Sequence, residues 1–87
     1  MESYKLSIKP SAAKELEALP TLALRRRAVS PIHGLARDPR PQGSIKLAGS
    51  VNACRIRFGR YRILYSVSDH LRIVSVERIA HRKEAYR

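Results

Sequence analysis

Two runs of alternating apolar and polar residues, separated by Gly59-Arg60, constrain the fold of this chain more than any other feature. A two-residue loop with glycine in first position is typical of a type II′ hairpin turn, and such a turn fixes the register of its two strands. An antiparallel hairpin is therefore predicted, with strands over residues 51–58 and 61–67. The predicted cross-strand pairs are Phe58 with Tyr61, Arg57 with Arg62, Ile56 with Ile63, Arg55 with Leu64 and Cys54 with Tyr65.

A third strand is predicted over residues 72–79, where apolar residues again alternate with polar ones. We interpret Asp69-His70 as a second two-residue turn, which makes the three strands an antiparallel meander. The pairs that follow from such a turn are Tyr65 with Val74, Ile63 with Val76 and Arg62 with Glu77.

The predicted meander has two unlike faces, because side chains along a strand point alternately to opposite sides. Arg55, Arg57 and Arg62 share one face. Like charges opposite each other destabilise a sheet by a few tenths to about 1 kcal/mol per pair. We interpret the cluster as an anion-binding surface; the alternative is a solvated face on which Glu77 relieves Arg62. The other, apolar face comprises Cys54, Ile56, Phe58, Tyr61, Ile63, Tyr65, Val67, Val74 and Val76.

The N-terminal part predicts one strand followed by two helices. Residues 4–8 alternate as a half-buried strand does, and Ser11 is the predicted N-cap of a first helix that Pro20 ends. Thr21 is the predicted cap of a second helix. Pro31 lies inside the second helical pattern and predicts a kink or an end near Ser30, because proline removes a hydrogen bond and crowds the preceding turn. The apolar helical positions are Ala12, Leu16 and Leu19, then Leu24, Ala28, Ile32 and Leu35.

These elements predict an α+β fold in which a strand, a two-helix hairpin and a three-stranded meander form one sheet with both helices on its apolar face. With 87 residues, we expect a single domain over residues 1–87. No apolar run approaches the roughly 20 residues of a membrane span, and no secretory signal is visible, so the cytoplasm is the expected location. The single cysteine, Cys54, excludes an internal disulfide and a multi-cysteine zinc site, and no metal or cofactor is expected.

The charge of the chain predicts a polyanionic partner. Lysine and arginine together number 18 against 7 acidic residues, which gives a net charge of +11. Only 5 of these cations are lysines, so 13 are arginines, whose planar fork suits bidentate contacts with phosphate. Nucleic acid or a strongly acidic protein is therefore the expected partner.

The sequence contains no recognisable nucleophilic triad, glycine-rich phosphate loop or pair of carboxylates. Its last residues, 81–87, follow the third meander strand and supply histidine, arginine and tyrosine. Metal-free cleavage of RNA by the neighbouring 2′-hydroxyl needs a base, cations to stabilise the phosphorane, and an acid for the leaving 5′-oxygen. Arginines together with a histidine or a tyrosine can fill these roles.

Four motifs of the sequence carry a resemblance to a known family. They are Asp38-Pro39-Arg40-Pro41, Lys46-Leu47-x-Gly49, the core Arg57-x-Gly59-x-Tyr61-Arg62-x-x-Tyr65 and the terminal His81-Arg82-Lys83-Glu84-x-Tyr86. With these motifs the chain resembles the RelE toxins of prokaryotic type II toxin-antitoxin systems over nearly its whole length. This resemblance implies a RelE-like toxin that enters the ribosomal A site and cleaves mRNA there, and that an acidic antitoxin inhibits.

The resemblance also implies roles for individual residues. Arg62 and Arg82 match the arginines that contact phosphate and stabilise the transition state, and Tyr86 matches the catalytic tyrosine. Arg55 and Arg57 stand where the family often has lysine. Arginine does not lose its proton in proteins, so the expected base is His81 or Tyr86. The residues expected to bind RNA phosphate are Arg55, Arg57, Lys46 and Lys83.

Two other functions stay open at this point. A toxin of the same fold can inhibit DNA gyrase, as ParE-like members of the superfamily do, and a basic domain of this size can bind RNA without cleaving it. We favour the ribosome-dependent nuclease because Arg62, Arg82, His81 and Tyr86 occur together, whereas a gyrase inhibitor has no need of an acid and a base.

Overall fold

The computed structural model describes residues 3–49 and 52–81. The elements follow the predicted order of a strand, two helices and several strands. They are β1 (Lys5–Ile8), α1 (Pro10–Glu17), α2 (Leu22–Gly34), β2 (Ile45–Lys46), β3 (Ala53–Phe58), β4 (Tyr61–Ser68) and β5 (Ile73–His81). No helix in these two ranges is long and apolar enough to cross a membrane.

All described strands belong to one sheet of five strands, in the order β1-β5-β4-β3-β2. β1 is parallel to β5, and the other neighbours are antiparallel. β2 was not predicted, because two residues are too few to show an alternating pattern. It pairs Ile45 with Arg55 and Lys46 with Cys54, and so covers only the first half of the outer edge of β3.

The predicted register of the first hairpin is confirmed at all five pairs, from Phe58 opposite Tyr61 to Cys54 opposite Tyr65. Gly59 has a φ of +56°, which a type II′ turn requires at that position and which glycine adopts without steric cost. The turn is local, so the sequence around Gly59 determines the pairing without help from the rest of the fold.

The predicted register between β4 and β5 is wrong for two reasons. The connection is four residues long, 69–72, so Ser68 pairs with Ile73, and Arg72 adopts a φ of +58° within it. A β-bulge at Leu64 and Tyr65 then adds one residue on β5. The observed pairs are Tyr65 with Val76, Ile63 with Ile79 and Arg62 with Ala80.

Glu77 consequently does not face Arg62. It accepts a hydrogen bond from the Ser66 hydroxyl at 3.1 Å and lies 3.4 Å from the Lys9 ammonium. The predicted pairing of Arg62 with Glu77 is therefore wrong.

The start of α1 and the end of α2 differ from the prediction. α1 starts at Pro10 with Lys9 as N-cap rather than Ser11, because proline is preorganised for the first helical position. The predicted Thr21 cap of α2 is confirmed, since its hydroxyl accepts from the Leu24 amide at 3.1 Å. The prediction allowed a kink or an end near Ser30; the end is wrong, because α2 continues past Pro31 to Gly34.

The last turn of α2 survives Pro31 because its apolar side chains are buried. Ile32 and Leu35 are almost fully inaccessible to solvent and belong to the core. Burying such side chains contributes about 1.5–3 kcal/mol each, which outweighs the hydrogen bond that proline cannot donate. Ala12, Leu19 and Ala28 complete the helical side of the core. The predicted apolar sheet face is confirmed: eight of its nine residues are buried, and Tyr61 packs against them.

Candidate nucleic-acid interface

Arg55, Arg57 and Arg62 lie on the sheet face that points away from the helices, and we call these three residues the arginine face. The β3–β4 register places Arg57 directly opposite Arg62 and Arg55 opposite Leu64. Arg57 is exposed and Arg55 is half-buried. The face therefore offers cationic side chains from two neighbouring strands within reach of one anion.

Arg62 is the most buried charged residue of the described chain, with only 4% of its surface exposed. Its strand neighbour Ala80 is also buried, and its Nη1 donates to the Tyr61 carbonyl at 3.4 Å. A guanidinium stays charged at any pH that proteins tolerate, and a charge interacts more strongly where water is excluded. Arg62 is thus suited to stabilise negative charge that develops on a bound phosphate.

Lys46 is not part of the arginine face. Because it pairs with Cys54, its side chain points to the helical side of the sheet, and Ile45 takes the place beside Arg55. The structure therefore separates Lys46 from the arginines with which the sequence grouped it.

His81 also lies on the helical side of the sheet. It pairs with Tyr61, and the two rings meet edge to face with centroids 5.4 Å apart. Tyr61 in turn stacks on Phe58 at 5.4 Å. His81 borders an open groove with the end of α1, lined also by Leu19 and Pro20. The structure therefore does not bring the imidazole together with the arginine face.

The other predicted site residues, Arg82, Lys83 and Tyr86, lie outside the described ranges. Their roles stay predictions.

Sequence reasoning missed Arg27 of α2. Its guanidinium lies against the tip of the β3–β4 hairpin, where a Cβ on Gly59 would come within 3.4 Å of Nη2. The run Arg25-Arg26-Arg27 was visible in the sequence, but helical spacing alone does not reveal which strand a side chain approaches. Arg25 is engaged differently, because its Nη1 donates to the Glu17 carbonyl at 3.0 Å.

A second missed group fixes the segment between α2 and β2. Arg40 makes a bidentate ion pair with Asp69, at 2.9 and 3.1 Å, and the Tyr4 hydroxyl donates to the same carboxylate at 2.6 Å. The Arg40 guanidinium and the Tyr4 hydroxyl lower the pKa of Asp69 to about 2. The Tyr65 hydroxyl donates to the Pro39 carbonyl at 2.7 Å. These bonds tie the segment around Pro39 to β4 and to the β4–β5 connection, and through Asp69 to Tyr4 in front of β1.

Comparison with known protein families places this small cationic α+β protein among the toxins of type II toxin-antitoxin systems. The profile of the family described as "ParE toxin of type II toxin-antitoxin system, parDE" matches residues 6–86. The chain belongs to this family, within the RelE/ParE superfamily. A comparison with curated proteins gives no match.

Solved structures of RelE toxins share the fold. A chain of the archaeal RelE-RelB complex from Pyrococcus horikoshii superposes with a TM-score of 0.81 at 29% identity, covering 93% of this chain and 97% of that chain. The isolated RelE toxin of E. coli superposes with a TM-score of 0.79 at 26% identity, covering 95% of this chain and 90% of that chain. A chain of the intact E. coli RelBE toxin-antitoxin complex gives a TM-score of 0.78 at 25% identity, covering 90% of this chain and 95% of that chain. The predicted resemblance to RelE toxins is thereby confirmed.

Proposed function

We propose that this toxin is a metal-independent endoribonuclease that cleaves mRNA in the ribosomal A site and so inhibits translation in the cytoplasm. The observation that carries the proposal is Arg62, a buried arginine directly opposite the exposed Arg57. Like charges in this position weaken the sheet, and RNA phosphates bound at the two side chains would offset the repulsion. The similarity to solved RelE toxins over more than 90% of the chain supports the same function.

The three arginines of the face have two roles in this proposal. Arg55 and Arg57 hold the phosphates that flank the cleaved bond, and Arg62 stabilises the phosphorane. A base removes the proton of the 2′-hydroxyl, whose oxygen attacks phosphorus. The P–O5′ bond then breaks, and the 5′-oxygen takes up a proton. The products are a 2′,3′-cyclic phosphate and a free 5′-hydroxyl, and the proton that the base removes is balanced by the one that the 5′-oxygen takes up.

The base is proposed to be Tyr86. The position of His81 on the helical side of the sheet, against Tyr61, leaves Tyr86 as the better candidate of the two that the sequence offered. Nearby cations lower the pKa of a tyrosine, and Arg82 and Lys83 precede Tyr86 closely in the chain. We assign Arg82 to the transition state and Lys83 to phosphate binding, as the resemblance implies.

Single-turnover cleavage of mRNA on programmed ribosomes tests this assignment. Tyr86→Phe is expected to lower the rate by about 10²- to 10⁴-fold, the usual contribution of a general base. His81→Gln serves as the matched control and should cleave at the wild-type rate. A crippled His81→Gln variant, together with a fully active Tyr86→Phe variant, would instead identify His81 as the base.

Gyrase inhibition is the competing function, because the matched family takes its description from ParE. The two are separated by inducing the protein in cells and following both protein synthesis and plasmid supercoiling. A nuclease stops synthesis while supercoiling is unchanged. Loss of negative supercoiling ahead of any effect on synthesis would establish a gyrase inhibitor. Binding to ribosomes without any cleaved mRNA would establish a non-catalytic RNA-binding module.

We also propose an acidic antitoxin as the natural partner. The net charge of +11 on 87 residues favours association with an acidic chain, and several similar solved structures are complexes with RelB. Long-range attraction of this kind accelerates association and is screened by salt. The association rate with the partner should therefore fall as salt is raised, and a rate indifferent to salt would argue against an acidic antitoxin.

A further inference from the structure

An open groove of about 250 Å³ separates α2 from β3. We call it the α2–β3 groove. It is on the opposite side of β3 from β4, and Arg57 borders both the groove and the arginine face. The lining residues are Pro31, Gly34, Pro41, Gln42, Ile56 and Arg57.

The groove exists because β2 covers only part of β3. The Leu47 amide donates to the Ala53 carbonyl, and alternate residues of an antiparallel strand direct their peptide groups to the same neighbour. The peptide groups of Arg55 and Arg57 therefore also point towards the β2 side. The last residue of β3 that β2 pairs with is Arg55, so the peptide groups of Arg57 border the groove rather than another strand.

Arg27 does not line the groove but lies beside it, at the tip of the β3–β4 hairpin. It precedes Pro31 by four residues on α2, so the two side chains share one flank of the helix. The guanidinium of Arg27 lies against Gly59, and Arg60 is exposed at the adjacent tip of the hairpin. Positive charge thus continues from the arginine face, past Arg57, to α2.

We propose that the RNA strand bound on the arginine face continues over the edge of β3 into the α2–β3 groove, and that Arg27 beside the groove binds a further phosphate. The inference rests on the proposed function, because it requires RNA on the arginine face. RNA fits better than a peptide strand, because the cations bordering the groove are arginines, whose forked guanidinium suits phosphate. Among the described residues, the structure places no Asp or Glu in the groove lining.

Salt-dependent binding of single-stranded RNA tests the proposal. Each neutralised phosphate contributes about 0.7 to the magnitude of the logarithmic salt slope for a single strand. The variant is Arg27→Ala, and the matched control is Arg37→Ala, an exposed arginine that borders a different groove with Ser3 and Leu6. Both are measured with oligonucleotides of about 12 and about 4 nucleotides, which bracket common single-strand site sizes.

With the longer RNA, Arg27→Ala should lower the slope by about 0.7, and Arg37→Ala should leave it unchanged. With the shorter RNA, which occupies only the arginine face, Arg27→Ala should bind as wild type does, while Arg57→Ala lowers the slope for both lengths. Arg27→Lys keeps the charge and should restore the slope, which separates a lost contact from a misfolded variant.

Two results would contradict the proposal that RNA continues into the α2–β3 groove. One is an unchanged slope of Arg27→Ala with the longer RNA, and the other is an equal decrease with both lengths. The same titrations with an oligoglutamate peptide give a third outcome. If Arg27→Ala lowers the salt slope for this peptide but for neither RNA, the groove binds an acidic protein instead. If wild type and Arg57→Ala have equal slopes for both RNAs, the arginine face itself does not bind RNA, and the proposed function fails together with the inference.

Discussion

Arg57 on β3 and Arg62 on β4 lie directly opposite each other, yet one side chain is exposed and the other is almost fully buried. The pair therefore combines a cation in contact with solvent and a cation in a partly dehydrated site. Like charges opposite each other weaken a sheet, and in the proposed function RNA phosphates would relieve this repulsion. Substitutions at the two positions are expected to have different effects on stability.

Replacing the exposed member, Arg57→Ala, should leave the free energy of unfolding unchanged or raise it by up to about 1 kcal/mol, because one like-charge pair is removed. Chemical denaturation measures this change. The same variant should lose about 0.7 from the salt slope of single-stranded RNA binding. A large loss of stability would show that Arg57 has a structural role.

Replacing the buried member tests whether its charge or its packing matters. Arg62→Ala removes a buried stem and should cost about 1–3 kcal/mol in the free energy of unfolding. Arg62→Met retains much of the stem without the charge and should be as stable as wild type or more stable. Both variants should lose RNA cleavage. An active Arg62→Met variant would exclude Arg62 from transition-state stabilisation.

Glu15 of α1 supplies, at the edge of β5, a hydrogen-bond acceptor of the kind that a neighbouring strand provides elsewhere. Its carboxylate accepts from the Ile79 amide at 2.8 Å and from Arg78 at 3.3 Å, beyond the point at which β1 stops pairing with β5. Glu15→Ala leaves the amide without this acceptor and should cost about 1–3 kcal/mol in the free energy of unfolding. Glu15→Gln keeps an acceptor and should cost less. Equal losses would show that charge, not the amide bond, matters here.

Because of the ion pair between Arg40 and Asp69, the free energy of unfolding should depend on pH in the acidic range. Because the folded pKa of Asp69, about 2, is below the usual value of about 3.9, its contribution is present above pH 4 and is lost as the pH falls towards 2. The difference in unfolding free energy between wild type and Asp69→Asn should therefore shrink over this range. A constant difference would contradict the assignment.

The buried hydroxyl of Tyr65 should make the free energy of unfolding depend on pH in the alkaline range. Burial raises the pKa of its hydroxyl to about 12, above the unfolded value near 10, so stability should fall as the pH rises from 10 to 12, where only the unfolded chain loses this proton. Tyr65→Phe leaves the Pro39 carbonyl without its donor and should cost about 1–3 kcal/mol at neutral pH. The variant should lose the part of the alkaline decline that is due to Tyr65, as denaturant titrations from pH 9 to 12 would show.

How far the sequence predicted the fold depends on the range of the interactions involved. The hairpin register and the apolar face were predictable, because both follow from the turn at Gly59 and from alternation along the strands. The order of strands and helices followed from the spacing of apolar residues and from helix N-cap residues, of which Thr21 is confirmed. The cationic character of the site was visible because charge is a property of composition.

The tertiary structure decided what depends on contacts between distant residues. The four-residue β4–β5 connection and the bulge at Leu64 and Tyr65 moved Glu77 away from Arg62. Burial of Ile32 and Leu35 carried α2 past Pro31. Pairing with Tyr61 placed His81 on the helical side.

The sequence by itself therefore determined which arginines share a strand face, since alternation along the backbone is local. Only the packing of α2 against the hairpin decided that Arg27 extends that charge around the edge of β3, because no local rule specifies which strand a helical side chain meets.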